Sequence, residues 1–334
     1  MWEDTEIEIC LFNLLQTENH VDGLLEQYKH ARKYLCDNIY SEIKGVEHSL
    51  TDHSAKHVIN VLENAWKLVQ NTEYPQNGIE KFNVVDLYLL CMGILLHDVG
   101  NIHGRKGHNK KAGEIYNNIV LNSTSKQEKK LIISIVEAHC GKTDTGNSDT
   151  LLLVDEYAYI YGKKVRPREI ASIVRFADEL AEGQQRTSEY LLQQDLIDKE
   201  SKLYHYYASI VEVTIDKSDG RIMLTYNISY PIQYKLRFST VMSMIFERII
   251  KLDTERRYCK YYSTVLNNFK ETEAQLNFYV NTEPVHLDIP KITLGDRYYL
   301  VKETKKSIAA RCGNIRISDL QKQLKEIQLN QKKT

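Results

Sequence analysis

Only five prolines occur in the 334 residues. Proline removes a backbone donor and breaks helix interiors, so their scarcity points to a mostly helical chain. The six cysteines, Cys10, Cys36, Cys91, Cys140, Cys259 and Cys312, are scattered, and no CxxC pair is present. That argues against a thiolate zinc site or a disulfide framework and makes reduced thiols in a cytoplasm the default. Charge of one sign is also lacking. With a net charge of −1, no global field draws the chain to nucleic acid or an anionic membrane, so any affinity for anions must come from a local cluster. The first residues, "MWEDTEIEIC", lack the basic-then-apolar layout of a signal peptide. The longest apolar run, Val84 to Leu96, contains Asp86 and is too short to span a bilayer, so it reads as a core helix.

What is present organises into helices first and strands later. Residues 1–50 read as an N-terminal helical extension, with Leu11, Leu14, Leu15 and then Leu24, Leu25, Tyr28 at helical spacing. Residues 51–200 read as a helical core. It has an apolar stripe at Val58, Val61, Leu62, Ala65 and Val69, the buried Val84–Leu96 helix, helices near 111–121 and 126–139, and another over 168–183. Residues 201–334 read as an α+β accessory region. There two alternating runs at about 209–228 meet at Lys217-Ser218-Asp219-Gly220, a hairpin signal. A helix follows at roughly 236–252, then extended chain over 275–300 and a polar C-terminal helix with Ser318 as its expected N-cap. The fold class is mainly α, with a small hairpin-containing region.

Ionisable residues on the apolar faces need a physical reason. His57 stands four residues before Val61, His97 and Asp98 cap the buried helix, His139 closes the next, and Asp178 follows Ala177. A lone buried histidine is usually a hydrogen-bonded core residue. A buried unpaired aspartate destabilises by several kcal/mol, on the order of a whole core contact. Four helices each directing an imidazole or carboxylate inward are best reconciled by one shared cation. Mixed nitrogen and oxygen ligation suits Mn, Fe, Co, Ni or Mg rather than a structural zinc.

The run "LLHDVGNIHGRKGHNKKAG" then leaves this region directly. Arg105, Lys106, Lys110 and Lys111 flank His108, with Gly104 and Gly107 allowing close backbone approach; Lys142 and Arg186 are further candidates. Cations beside a metal match phosphate oxygens. Tyr157, Tyr159 and Tyr161 are weaker candidates for stacking on a base, against an ordinary packing role.

The pattern His57 … Leu96-His97-Asp98-Val99-Gly100 … Ala177-Asp178 resembles the H…HD…D signature of the HD-domain superfamily of metal-dependent phosphohydrolases, across residues 50 to about 195. The resemblance implies an all-helical core in which His57, His97, Asp98 and Asp178 hold one divalent ion, with His53 in the surrounding shell or loop. It also implies that His103, His108 and His139 serve catalysis, or that His108 and His139 hold a second ion. The spacing from Asp98 to His108 is shorter than in most binuclear members, and Cys140 stands where many of them carry a second histidine. The expected chemistry is hydrolysis of a nucleotide by metal-activated water, first as (deoxy)nucleoside triphosphate hydrolysis, probed most simply with manganese. Phosphodiester cleavage of a cyclic dinucleotide comes second, and a complete second-metal site would favour it. An HD-fold di-iron oxygenase and a non-catalytic nucleotide sensor are further alternatives, although a sensor has no need of every ligand. The part after residue 200 resembles the accessory regions that HD hydrolases use for dimerisation or substrate choice, and a homodimer is expected. The chain also looks akin to HD modules of bacterial conflict systems, which would imply a role in antiviral defence.

Overall fold

A computed structural model describes residues 2–21, 23–46, 54–70, 82–104, 107–119, 125–140, 146–297, 301–314 and 316–331 of the protein. The chain is mainly helical and divides into two units. One comprises Met1–Ala181 with Cys259–Asn267, and the other Glu182–Tyr258 with Asn268–Thr334.

The first unit is built around a single helix. Its elements in order are α1 (Glu6–Thr17), α2 (Leu24–Asn38), α3 (Tyr40–Val46), α4 (Ala55–Val69), α5 (Val84–Leu96), α6 (His108–Ile119), α7 (Lys126–Ala138), a short hairpin of β1 (Ala158–Ile160) and β2 (Lys163–Val165), and α8 (Pro167–Glu179). All thirteen residues of α5 are buried, against α1, α2, α4, α7 and α8. Asp86, the charge within this run, belongs to a cap. Asn83 accepts from the amides of Val85 and Asp86 at 2.9 and 3.1 Å, and Asp86 accepts from the Asn83 amide at 3.2 Å. Asp86 also takes the Arg166 amide at 2.9 Å, so its burial leaves no unsatisfied carboxylate. With the 3-10 turn Val99–His103 the helical stretch reaches 20 residues, long and apolar enough by composition to cross a bilayer, yet 94 % of it is buried in the protein. It is a core helix.

Close packing around α5 depends on Gly93. A Cβ there would meet Ile135 Cγ2 of α7 at 2.9 Å and Val174 Cγ2 of α8 at 3.4 Å, so any larger residue pushes two neighbouring helices outward. Residues 259–267 join this unit through Glu169, which accepts from Ser263, Thr264 and the Val265 amide at 3.2, 2.9 and 3.0 Å.

The second unit contains α9 (Glu189–Gln193), α10 (Lys202–Ile210), β3 (Val211–Asp216), β4 (Arg221–Tyr230), α11 (Phe238–Tyr262), β5 (Glu271–Val280), β6 (Glu283–Val285), β7 (Ile292–Gly295), α12 (Lys305–Arg311) and α13 (Ile317–Gln331), with the end of α11 counted in the first unit. The expected hairpin forms, with Asp216 opposite Arg221. β5 lies parallel to β4, which demands a crossover, and α11 supplies it. Proline does confine the extended region: Pro284 sits in the three-residue strand β6, paired with the end of β5. Two expectations need correction. α11 runs ten residues beyond its anticipated end, and the charged residues Arg256 and Arg257 in that extension are buried on Asp253 at 2.8 and 2.9 Å. Ser318 is the second residue of α13 rather than its N-cap.

Candidate metal centre

Two helices and the end of a third converge on a point. α4 begins after Ser54, whose side chain accepts from the Lys56 amide. Its buried stripe starts with His57 and Val58 and continues through Val61, Leu62 and Ala65, which turns the imidazole inward. α5 delivers His97 as its C-cap and Asp98 directly after it. Asp98 has φ −110° and ψ 0°, outside helical geometry, and this loosening lets two adjacent residues face one centre. α8 carries Asp178 behind Ile170, Ile173, Val174 and Ala177. Asn64 of α4 donates to the Ala177 carbonyl at 3.2 Å, tying two of the ligand-bearing helices together beside Asp178.

The donor atoms of His57, His97, Asp98 and Asp178 all lie within 4.8 Å of one another. His57 Nε2 is 3.3 Å from His97 Nε2, 3.5 Å from Asp98 Oδ2 and 3.1 Å from Asp178 Oδ1. His97 Nε2 is 3.2 and 3.6 Å from the same two oxygens. An ion about 2.1 Å from each donor holds neighbours about 3.0 Å apart at right angles and about 3.4 Å apart at the tetrahedral angle. The observed edges fall on that scale, so the quartet fits a divalent cation. His97 Nδ1 donates to the Ile94 carbonyl at 2.7 Å, leaving Nε2 as the atom that faces the centre.

The electrostatics agree. Burial disfavours a charged His97, but Asp98 and Asp178 outweigh it and raise its pKa well above the ordinary imidazole value. Burial alone would push Asp178 up; hydrogen bonds and charge from His57 and His97 hold it well below the usual carboxylate range. Without an ion, the cluster has to keep a proton to balance two inward carboxylates.

A second cluster adjoins the first across Asp98. Its other oxygen, Oδ1, is 3.5 Å from His108 Nε2 and 3.8 Å from His139 Nε2, and these two nitrogens are 3.4 Å apart. Cys140 Sγ lies 3.7 and 3.8 Å from them. His108 is the first residue of α6, and His139 caps α7, where its Nδ1 donates to the Val136 carbonyl at 2.5 Å. Burial, reinforced by cationic His97, lowers the His139 pKa to about 4, so at neutral pH this ring is uncharged. α6 meets the Val99–His103 turn because Gly100 has no side chain: a Cβ there would fall 1.8 Å from the His108 carbonyl oxygen.

The remaining anticipated residues are dispersed. His103 is exposed at the end of the 3-10 turn and belongs to neither cluster. Lys110 and Lys111 are exposed on the first turn of α6, and Lys111 pairs with Glu114 at 3.1 Å. Arg105, Lys106, Lys142 and His53 lie outside the described residues. α8 ends at Glu179, so Arg186 does not stand two turns further along the same helix; it closes a 3-10 turn in the second unit. Tyr161 donates to buried Glu128, which also accepts from Tyr88 and Tyr116. That is a packing role.

Sequence reasoning missed three supporting side chains. Asn101, 2 % exposed, donates to Asp98 Oδ1 at 3.0 Å and fixes which oxygen faces which cluster. Thr150 donates to the Ala138 and Cys140 carbonyls at 2.8 and 3.1 Å, and buried Arg175 donates to Thr150 at 2.9 Å and to the Cys140 carbonyl at 3.1 Å. The available signal was an arginine three residues before Asp178 on an otherwise apolar helix face.

This geometry agrees with one comparison: the HD-CE family model matches residues 47–250, well over half of the chain. The chain belongs to the HD-CE family. The match includes every residue of both clusters, and no curated protein matches the sequence. Membership in HD-CE supplies the HD-type domain, and with it the class of metal-dependent hydrolases.

Proposed function

We propose that this HD-CE chain is a metal-dependent phosphohydrolase acting on a nucleotide. One observation carries the reading: Asp98 presents one oxygen to the quartet and the other to His108 and His139. Ion-binding groups and imidazoles outside the quartet therefore share a single carboxylate. His57, His97, Asp98 and Asp178 would hold the ion, which when bound lowers the pKa of water and offsets charge developing on a phosphoryl group. The protein's own contribution is then positional and protonic. With a single ion bound, uncharged His139 can orient the attacking water through Nε2, and half-buried His108 stands on the more open side, where it can pass a proton to a leaving alkoxide. Lys110 and Lys111 supply positive charge on the helix that starts at His108.

Two substrate classes fit. Release of triphosphate or phosphate from a (deoxy)nucleoside triphosphate needs one ion and a nearby imidazole. Cleavage of a cyclic dinucleotide is favoured by the His108, His139 and Cys140 cluster beside Asp98, since paired ions suit phosphodiester displacement.

The test is turnover by protein loaded with Mn²⁺ on a panel of nucleoside triphosphates, deoxynucleotides and cyclic dinucleotides, with Asp98→Ala as control. Product from one mononucleotide class, absent with Asp98→Ala, supports the first substrate; product from cyclic dinucleotides alone supports the second. Stoichiometric ion binding without turnover of any panel member overturns the hydrolase reading in favour of an oxygenase or a sensor.

A further inference from the structure

We infer that Cys140 is a thiolate ligand, completing a second cation site with His108, His139 and Asp98 Oδ1 that is chemically softer than the quartet. The inference rests on reading the quartet as a metal site and adds to it a sulfur donor.

The donor spacing fits one shared centre. His108 and His139 stand 3.5 and 3.8 Å from Asp98 Oδ1, beyond the about 2.7–3.2 Å of an N–H···O bond, and 3.4 Å from each other, a length open both to a long hydrogen bond and to a shared ion. An ion about 2.05 Å from nitrogen and 2.3 Å from sulfur sets tetrahedral N···N edges at about 3.35 Å and N···S edges at about 3.55 Å. The observed N···N edge is 3.4 Å and the N···S edges are 3.7 and 3.8 Å. Tautomer and backbone agree as well. His139 spends its Nδ1 proton on the Val136 carbonyl, so its Nε2 presents a lone pair. The Cys140 carbonyl is held by Thr150 and by Arg175, a residue only 6 % exposed, so the segment bearing the thiol is fixed rather than a loose helix end.

Two nitrogens, a thiolate and a carboxylate oxygen select a borderline-soft ion such as Zn²⁺ or Co²⁺, while two nitrogens and two carboxylates accept harder Mn²⁺ or Fe²⁺. The scarcity of patterned cysteines does not bear on this site, because the thiolate joins histidines brought together by folding rather than a second cysteine close in sequence.

The experiment is reconstitution of chelated, full-length protein with Co²⁺, reading ions bound per chain and the near-ultraviolet thiolate-to-cobalt charge-transfer band, for wild type, Cys140→Ser and Asp178→Asn. The expected result is two ions and the band in wild type, one ion and no band in Cys140→Ser, and the band retained in Asp178→Asn. One ion and no band in wild type overturns the second site and leaves the quartet standing. Two ions without the band overturn sulfur ligation. No ion in any of the proteins overturns the quartet, and the inference with it. The wild-type spectrum decides even if a variant fails to fold, and X-ray absorption of the zinc form then checks for a Zn–S distance of about 2.3 Å.

Discussion

Replacing Gly100 by alanine isolates the backbone contact that holds the two clusters together. The added Cβ would lie 1.8 Å from the His108 carbonyl oxygen, 2.6 Å from its carbonyl carbon and 3.1 Å from its Cα. Gly100 has no left-handed φ, so alanine suits its local conformation and only the contact forbids it. The obstacle is backbone, which has no alternative rotamer. A comfortable C···O separation is about 3.2 Å or more, so the start of α6 has to retreat by about 1–1.5 Å. His108 is the first residue of that helix, and its ring moves with it. Catalytic geometry tolerates about 0.5 Å, and a 1 Å displacement lowers rates about 10²-fold. Overpacking destabilises by about 1–3 kcal/mol, or about 3–10 °C in Tm for a unit of this size. The assay is turnover of whichever panel substrate the wild type cleaves, with thermal melting and ion stoichiometry alongside. We expect turnover to fall about 10²-fold while the quartet keeps its ion, and Gly100→Ala added to His108→Ala to lower turnover little further, because both act through one ring. Wild-type turnover with wild-type Tm in Gly100→Ala would refute the reasoning.

Other outcomes follow from the same geometry. Asp178→Asn preserves volume but removes a charge 3.1 Å from His57; where a saturating ion raises the wild-type Tm by about 5–10 °C, the variant should show little or no rise. With no ion bound, raised His97 keeps its proton at neutral pH, so coordination at Nε2 must expel it. Calorimetric enthalpies of ion binding should therefore vary with buffer ionisation enthalpy, and affinity should climb as pH rises; buffer-independent enthalpies would contradict this. His139, lowered to about 4, shifts the other way in the ion-free protein. The unfolded chain gains its proton near pH 6.5 while the fold resists until about 4, so His139 lowers stability as pH falls across that window, and melting of His139→Gln should lack this component. Gly93→Val forces α7 and α8 away from α5 and should lower Tm by at least about 5 °C, measured by circular dichroism.

The quartet was legible because each member stands at the edge of an apolar helical stripe, where an unshared imidazole or carboxylate has no comfortable reason to be. The helices were legible for the same reason, through their periodicity. The second cluster was only half readable. His108 and His139 stood out as residue types, but their convergence depends on the start of α6 meeting the end of α7, a tertiary contact set by the missing side chain at Gly100. Cys140 stood out only as a departure, occupying the place of a second histidine, because sulfur ligation is usually read from neighbouring cysteines. Asn101, Thr150 and Arg175 act on a carboxylate oxygen and on backbone carbonyls, and such partners leave no periodic trace. The end of α11 was placed ten residues early, since the apolar pattern gives way to charge there and the pairing of Arg256 and Arg257 with buried Asp253 is a matter of the fold.

His97 and His139 share one device: each ring donates Nδ1–H to the carbonyl three residues earlier, in the last turn of its own helix. The anchor of each imidazole is thus a group that helix ends surrender first when they fray. Coordination and helix-end order become a single equilibrium at two places. An ion held by His97 would steady the last turn of α5, and one held by His139 the last turn of α7. Where the ions bind as proposed, their release would report on the order of these two final turns.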